Sequence, residues 1–322
     1  KVKQIIYLKR ILSYNRGMEQ TLNGRGSLTG GISFSVTVAV YVFFSLIFSV
    51  IVVAAGLDSS SDVYIYINYL VAPAAVAVSV PVVSKFRRVP LKTLLPLGFQ
   101  SGKSAAKYFA AAVLLAFGLL FSLSWLNIGF ERLLRLLGYE GTVSYFPDLS
   151  GGKVAAALLV MAVMPALFEE ILFRGAVLQN IREEAGELNS IFLCGMCFAL
   201  FHASALQTFY QFICGCAFAL LAIRARSLFP CVLAHFLNNA VIVVMQACGL
   251  NTSGTLFDML PLWAAILVTV LSALSLIGGA LILVCDKTPL KKPVKGGIKK
   301  FFLSASVGIA VLAVLWIVGL FS

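Results

Sequence analysis

The stretch PALFEEILFRG, Pro165 to Gly175, sets two adjacent glutamates and an arginine inside a run otherwise apolar enough for the interior of a lipid bilayer. A charge near the bilayer centre costs at least ~2.5–3.5 kcal/mol on insertion scales, so ionisable residues at that depth normally face a cavity and mark function. Whether this run enters a membrane decides the fold, and composition answers the question. Of 322 residues, 60% are hydrophobic and 12% charged, against roughly 25% charged in a soluble domain. The chain reads as an integral membrane protein.

Outward from the quoted stretch, apolar runs lie at 32–56, 64–84, 108–130, 155–168 (continuing into the stretch itself), 190–206, 208–223, 228–249, 262–285 and 301–321. Most approach the ~20 residues that span a bilayer, giving about nine crossings. In lipid, an isolated segment satisfies its own backbone hydrogen bonds only as a helix. The expected fold is therefore all-α, a polytopic transmembrane helical bundle without strands.

Lysines and arginines fall in alternate gaps: the arm at 1–31, the connector at 85–107, the Arg224/Arg226 turn and the loop at 287–300. Positive loops tend to stay cytoplasmic, so these are placed inside. The gaps at 57–63 and 251–261 contain aspartate but no lysine or arginine and are placed outside. The N-terminus is then cytoplasmic. FERLLRLLGY, Phe130 to Tyr139, is amphipathic and reads as a segment lying along the interface. The net charge of +12 sits beside membrane segments, where anionic lipid accounts for it and nucleic acid is not expected as a partner. No apolar h-region occurs in 1–31, so no cleavable signal peptide is expected there.

Two motif resemblances dissolve on inspection. GFQSGKS, Gly98 to Ser104, is one residue short of a phosphate-binding loop and has no preceding strand. Ser104 and Lys107 match S-x-x-K, too short a pattern to carry weight. All seven cysteines lie within or at the ends of apolar runs. The CGMC pair, Cys194 and Cys197, has no second pair, and small apolar packing is the expected role.

What remains is a short set of polar residues in lipid-like surroundings. The only two histidines, His202 and His235, fall in expected spans, and of thirteen carboxylates only Glu169 and Glu170 lie deep in one. Residues four apart share a helix face, which pairs Glu170 with Arg174, Phe198 with His202 and His235 with Asn239. Individually, a satisfied core histidine or a buried structural ion pair would explain each. Jointly, they point to a site.

The succession E-E-x-x-x-R, F-x-x-x-H and H-x-x-x-N on consecutive helices, with SLFP (Ser227 to Pro230) leading into the last, resembles the CPBP family. This family is also called the Abi or CAAX protease family, of CAAX processing and bacteriocin self-immunity. The resemblance covers a core at 153–250, between accessory membrane helices at 32–152 and 251–322. It implies a glutamate-dependent intramembrane protease in which Glu169 and His202 activate a water. His235 and Asn239 would form the oxyanion hole, and Glu170 with Arg174 would hold Glu169 in place. The residues support this division: Arg174 can neutralise Glu170 in a charge-assisted pair and leave its neighbour free. Adjacent residues point about 100° apart on a helix, so the two glutamates cannot do the same job.

No cofactor is favoured. Two histidines and a carboxylate are a familiar zinc set, and His202, His235 and Glu169 would be the ligands. With Glu170 engaged by Arg174 and Glu169 acting as base, however, only two good ligands remain. The expected partners are a membrane-associated peptide or protein substrate and the bilayer itself. The expected location is a bacterial plasma membrane, with the site opening toward the cytoplasm. Two other classes stay open: a proton-coupled transporter, which also uses intramembrane Glu, His and Arg, and a non-catalytic peptide-binding or immunity protein.

Overall fold

The computed structural model describes residues 26–99, 101–136, 138–139, 145–250 and 255–320. Most of the basic arm at 1–31 and part of the gap at 251–261 therefore lie outside the described residues. Among those described, regular structure is helical throughout. The main helices are α1 (Gly26–Ala55), α2 (Asp62–Arg87), α3 (Gly102–Leu136), α4 (Lys153–Ala185), α5 (Glu187–Phe201), α6 (Thr208–Ala225), α7 (Phe229–Ala247), α8 (Leu262–Val284) and α9 (Gly297–Val318). Single turns at Leu91–Leu94 and Leu256–Met259 lie in the connectors.

Each expected apolar run is helical, and among the described residues eight helices are long and apolar enough to cross a membrane. The ninth, α5, has 15 residues. It is short because α4 runs on to Ala185 and turns sharply at Gly186, whose φ is 77° and where an added Cβ would lie 2.6 Å from the nitrogen of Pro293. Beyond α5 the chain turns at Ala203, φ 46°, instead of continuing through 206.

FERLLRL, Phe130 to Leu136, is the continuation of α3 and forms no separate interfacial element. At ~1.5 Å per residue the 35-residue helix is about 52 Å long, well beyond the ~30 Å hydrocarbon core. Its charged end therefore has room to leave the hydrocarbon without a break in the helix.

Local sequence explains the ends. Ser61 caps α2 by accepting the Tyr64 amide, and Arg88 closes it in the left-handed region at φ 56°. Pro73 and Pro81 sit inside α2, which neighbouring helices make tolerable in membranes. α4 is the centre of the bundle: Leu172, Phe173, Ala176, Val177, Leu178 and Ile181 are all fully buried in one core that draws on α1 to α9. The outer faces of α1, α8 and α9 instead expose Val50, Val53, Leu274, Leu303 and Val307. An apolar exterior of that extent suits lipid and would be anomalous in water.

The turn after α1 and the connector after α2 lie at opposite ends of α2. Single cysteines at Ser59 and Ser101, in a chain whose native cysteines are replaced, are expected to react with an impermeant thiol reagent from opposite sides of a sealed vesicle, Ser101 from the cytoplasmic side. Labelling from one side would remove α2 as a crossing.

Candidate active site

α4 is not a uniform helix. Wide turns with i→i+5 geometry at Leu158–Val163 and Ile171–Val177 flank the regular segment Met164–Glu170. Such wide turns often occur at functional sites, because they re-aim side chains and carbonyls. Both glutamates end the regular segment, at the middle of the whole helix.

Glu170 faces the protein interior and is fully buried. Its Oε1 accepts hydrogen bonds from Arg174 Nη1 at 2.9 Å and from His235 Nδ1 at 3.0 Å. The Arg174 guanidinium also donates Nη2–H to the carbonyl of Gly215 at 3.1 Å, and it lies over the rings of Phe198 (4.7 Å) and Phe218 (5.3 Å). A buried guanidinium costs several kcal/mol unless paired and bonded; here the carboxylate, a carbonyl and two aromatic faces share that task. Gly215 makes the arrangement possible. An added Cβ there would lie 2.7 Å from the Cα of Gly195, so α5 and α6 touch backbone to backbone where Arg174 reaches α6. The resemblance assigned Glu170 and Arg174 to holding Glu169; their direct contacts run instead to His235 and Gly215, tying α4 to α7 and α6.

Glu169 points to a different neighbourhood. Its Oε2 lies 3.9 Å from the Nε2 of His202 and 3.9 Å from the Nε2 of His235. His202 directs Nδ1 at the carbonyl of Phe198, 2.8 Å away. A carbonyl and a carboxylate only accept, so in the neutral rings both Nδ1 atoms carry the proton and both Nε2 lone pairs face Glu169. Glu169 Oε2 itself is buried without a hydrogen bond. Three acceptors thus converge across gaps too long for direct bonding and suited to a bridging water that donates to two of them. Counted along ideal helices from their ends, His202 would fall nearer mid-membrane than Glu169 and His235; the short α5 and the extension of α4 to Ala185 bring all three together.

The same three residues are the natural metal set. Tetrahedral zinc with bonds near 2.0–2.1 Å separates its ligand atoms by about 3.4 Å, and the observed 3.9 Å spacings are wider. Among the described residues no group of three or more His, Cys, Asp or Glu has an arrangement that holds a metal.

Asn239 donates to the carbonyl of Met161 at 3.4 Å, a carbonyl in the first wide turn of α4. Its Oδ1 accepts from Asn238 Nδ2 at 3.4 Å, and Asn238 Oδ1 accepts from the Tyr210 hydroxyl at 2.5 Å. Tyr210, Asn238 and Gly215 were not singled out from sequence. Only Asn238 left a signal, as the neighbour of Asn239 inside an apolar helix. Cys194 and Cys231 pack in the core with their thiols against the carbonyls of Phe173 and Phe218, and the described cysteines are free thiols. Ser104 lies in the first turn of α3, where its amide is capped by Ser101 and no histidine or carboxylate is near in the described contacts.

Fold and site together define a polytopic helical membrane protein with a buried carboxylate–histidine–amide cluster at its centre. Residues 151–241 match the family model described as type II CAAX prenyl endopeptidase Rce1-like, a match to the CAAX protease family over that span. The matched span contains Glu169, Glu170, Arg174, His202, His235 and Asn239. No curated protein and no solved structure matches the chain.

Proposed function

We propose that this protein is an intramembrane endopeptidase that cleaves a membrane-associated peptide or protein with a water activated by Glu169 and His202. The observation that carries the reading is the convergence of both histidine Nε2 atoms on the unbonded Oε2 of Glu169, each at 3.9 Å. A water between them donates to Glu169 and is oriented by His202. As its oxygen bonds to the scissile carbonyl carbon, its proton passes to Glu169, the general base. The carbonyl oxygen becomes an oxyanion, stabilised by the amide N–H of Asn239 and by His235, which donates from Nε2 in its doubly protonated form with Glu170 as counter-charge. Collapse breaks the C–N bond, and the proton on Glu169 goes to the departing amine. Glu170 keeps His235 oriented, and Arg174 balances the charge of Glu170.

On this reading residues 153–250 form the catalytic core, and the other helices are accessory walls. Tyr41 of α1, for example, packs on Phe201 beside His202 at 5.5 Å. A bacterial plasma membrane and a site opening toward its cytoplasmic side complete the proposal, the latter supported by the basic connectors at 85–107 and 287–300.

Hydrolysis needs no ion gradient. The purified full-length protein in detergent is expected to cleave a membrane-derived peptide identified by mass spectrometry as the fragment missing from membranes that carry the Glu169→Gln variant. Activity is expected to survive a strong chelator. Gradient-driven uptake in sealed vesicles without any cleavage product would assign the cluster to transport, and zinc-reversible loss on chelation would assign the water to a metal.

A further inference from the structure

Away from the active site, at the end of the bundle where α3 begins and α4 and α6 end, lies a cavity of about 90 Å³. Arg182, Arg224, Arg226, Glu187, Asp286 and Lys291 line it. The connector between α8 and α9 closes one side, because the Glu187 amide donates to the Lys291 carbonyl at 3.0 Å and the Val294 amide to the Glu184 carbonyl at 2.8 Å.

The hydrogen-bonding capacity of this cavity is lopsided. Every carboxylate oxygen is already used. Glu187 Oε1 accepts from Arg182 Nη2 at 2.6 Å and Oε2 from the Lys291 amide at 3.0 Å. Asp286 Oδ1 accepts the Thr288 amide at 3.0 Å, and Oδ2 accepts the Tyr108 hydroxyl and Lys107 Nζ. The Tyr108 hydroxyl and Thr288, with Lys107 nearby, hold the Asp286 carboxyl well below the usual carboxylate range, so it stays ionised and engaged.

The donors are in surplus. Arg224, its side chain nine-tenths buried, gives Nη1 to the Thr288 carbonyl, yet its Nε is buried with no partner. Arg182 Nε is buried without a hydrogen bond as well, its nearest recorded carboxylate oxygen being Glu183 Oε1 at 3.8 Å. Arg226 stands exposed in the left-handed region at φ 52° and makes no ion pair among the described residues. Unsatisfied guanidinium donors beside saturated carboxylates leave room for an acceptor that also carries negative charge. The volume is several times the ~10–15 Å³ that holds one water, enough for one tetrahedral oxyanion.

We propose that this cavity is a phosphate-binding site, taking the phosphate group of an anionic lipid headgroup or of a soluble phosphorylated compound. The ligand's oxygens meet Arg224, Arg182 and Arg226 in charge-assisted hydrogen bonds. The level of the site, where helices leave the apolar region beside basic loops, is where headgroup phosphates lie.

Two arms separate the sources. In the first, full-length protein is passed through nanodiscs of phosphatidylcholine with or without phosphatidylglycerol, and retained lipid is counted by native mass spectrometry. In the second, inorganic phosphate is titrated against the protein in neutral detergent, with melting temperature as the readout. Arg226→Gln is the informative variant, since Arg226 is exposed and its loss breaks no ion pair in the fold. Retained phosphatidylglycerol, bound about tenfold more weakly by Arg226→Gln as expected for one charged hydrogen bond, supports a headgroup. A saturable rise in melting temperature with phosphate, weakened to the same degree and without retained lipid, supports a soluble ligand. Absence of both responses, or responses identical in wild type and variant, overturns the proposal and leaves a water-filled cavity.

Discussion

Glu169→Gln is expected to lower cleavage by roughly 10² or more, the usual scale for losing a general base, while the melting temperature stays near that of the wild type. The asymmetry follows from the contacts. Glu169 Oε2 makes no direct hydrogen bond, and two imidazole nitrogens stand 3.9 Å from it. The amide has the same shape, so the packing around α4 is kept while proton acceptance is lost. Turnover and thermal denaturation measured on one preparation check this. Near-normal cleavage by Glu169→Gln would falsify the role given to it.

Glu170→Ala is expected to do the reverse, with stability falling first. Removing one partner of a buried pair leaves the other charge uncompensated and costs ~3–5 kcal/mol in soluble proteins. Here Arg174 is fully buried and keeps only the Gly215 carbonyl among its direct oxygen partners. His235 Nδ1 loses its acceptor in the same substitution. Glu170→Gln retains an acceptor oxygen without the charge, so its loss should be intermediate. The order of melting temperatures in detergent, Glu169→Gln above Glu170→Gln above Glu170→Ala, is the measurement. A Glu170→Ala protein as stable as Glu169→Gln would show that the Arg174 ion pair holds nothing together.

The two glutamates illustrate how far a local pattern reaches. Glu170 and Arg174 are one helical turn apart, and the bond between them follows from that spacing once α4 is a helix. The spacing does not say that the same carboxylate oxygen also takes His235, 65 positions along the chain. FERLLRL shows the converse: its periodicity is the same for an interfacial helix and for the last two turns of α3, so the pattern alone cannot choose between them.

The amino-acid sequence by itself determined the membrane class, the helical runs and the short list of Glu169, Glu170, Arg174, His202, His235 and Asn239. Those properties follow from composition, from the length a bilayer demands and from i,i+4 spacing, all local along the chain. Only the tertiary structure decided that α5 stops at Phe201, that wide turns bracket the glutamates, and that Tyr210 and Asn238 lie behind Asn239. It also divided the histidine contacts: Glu170 holds the Nδ1 of His235, while Glu169 faces both Nε2 atoms. The physical reason is that these contacts join α4, α5, α6 and α7, and depend on how closely those helices approach. That approach is set by Gly195 against Gly215 and by packing around a buried arginine, which no periodicity within a single helix encodes.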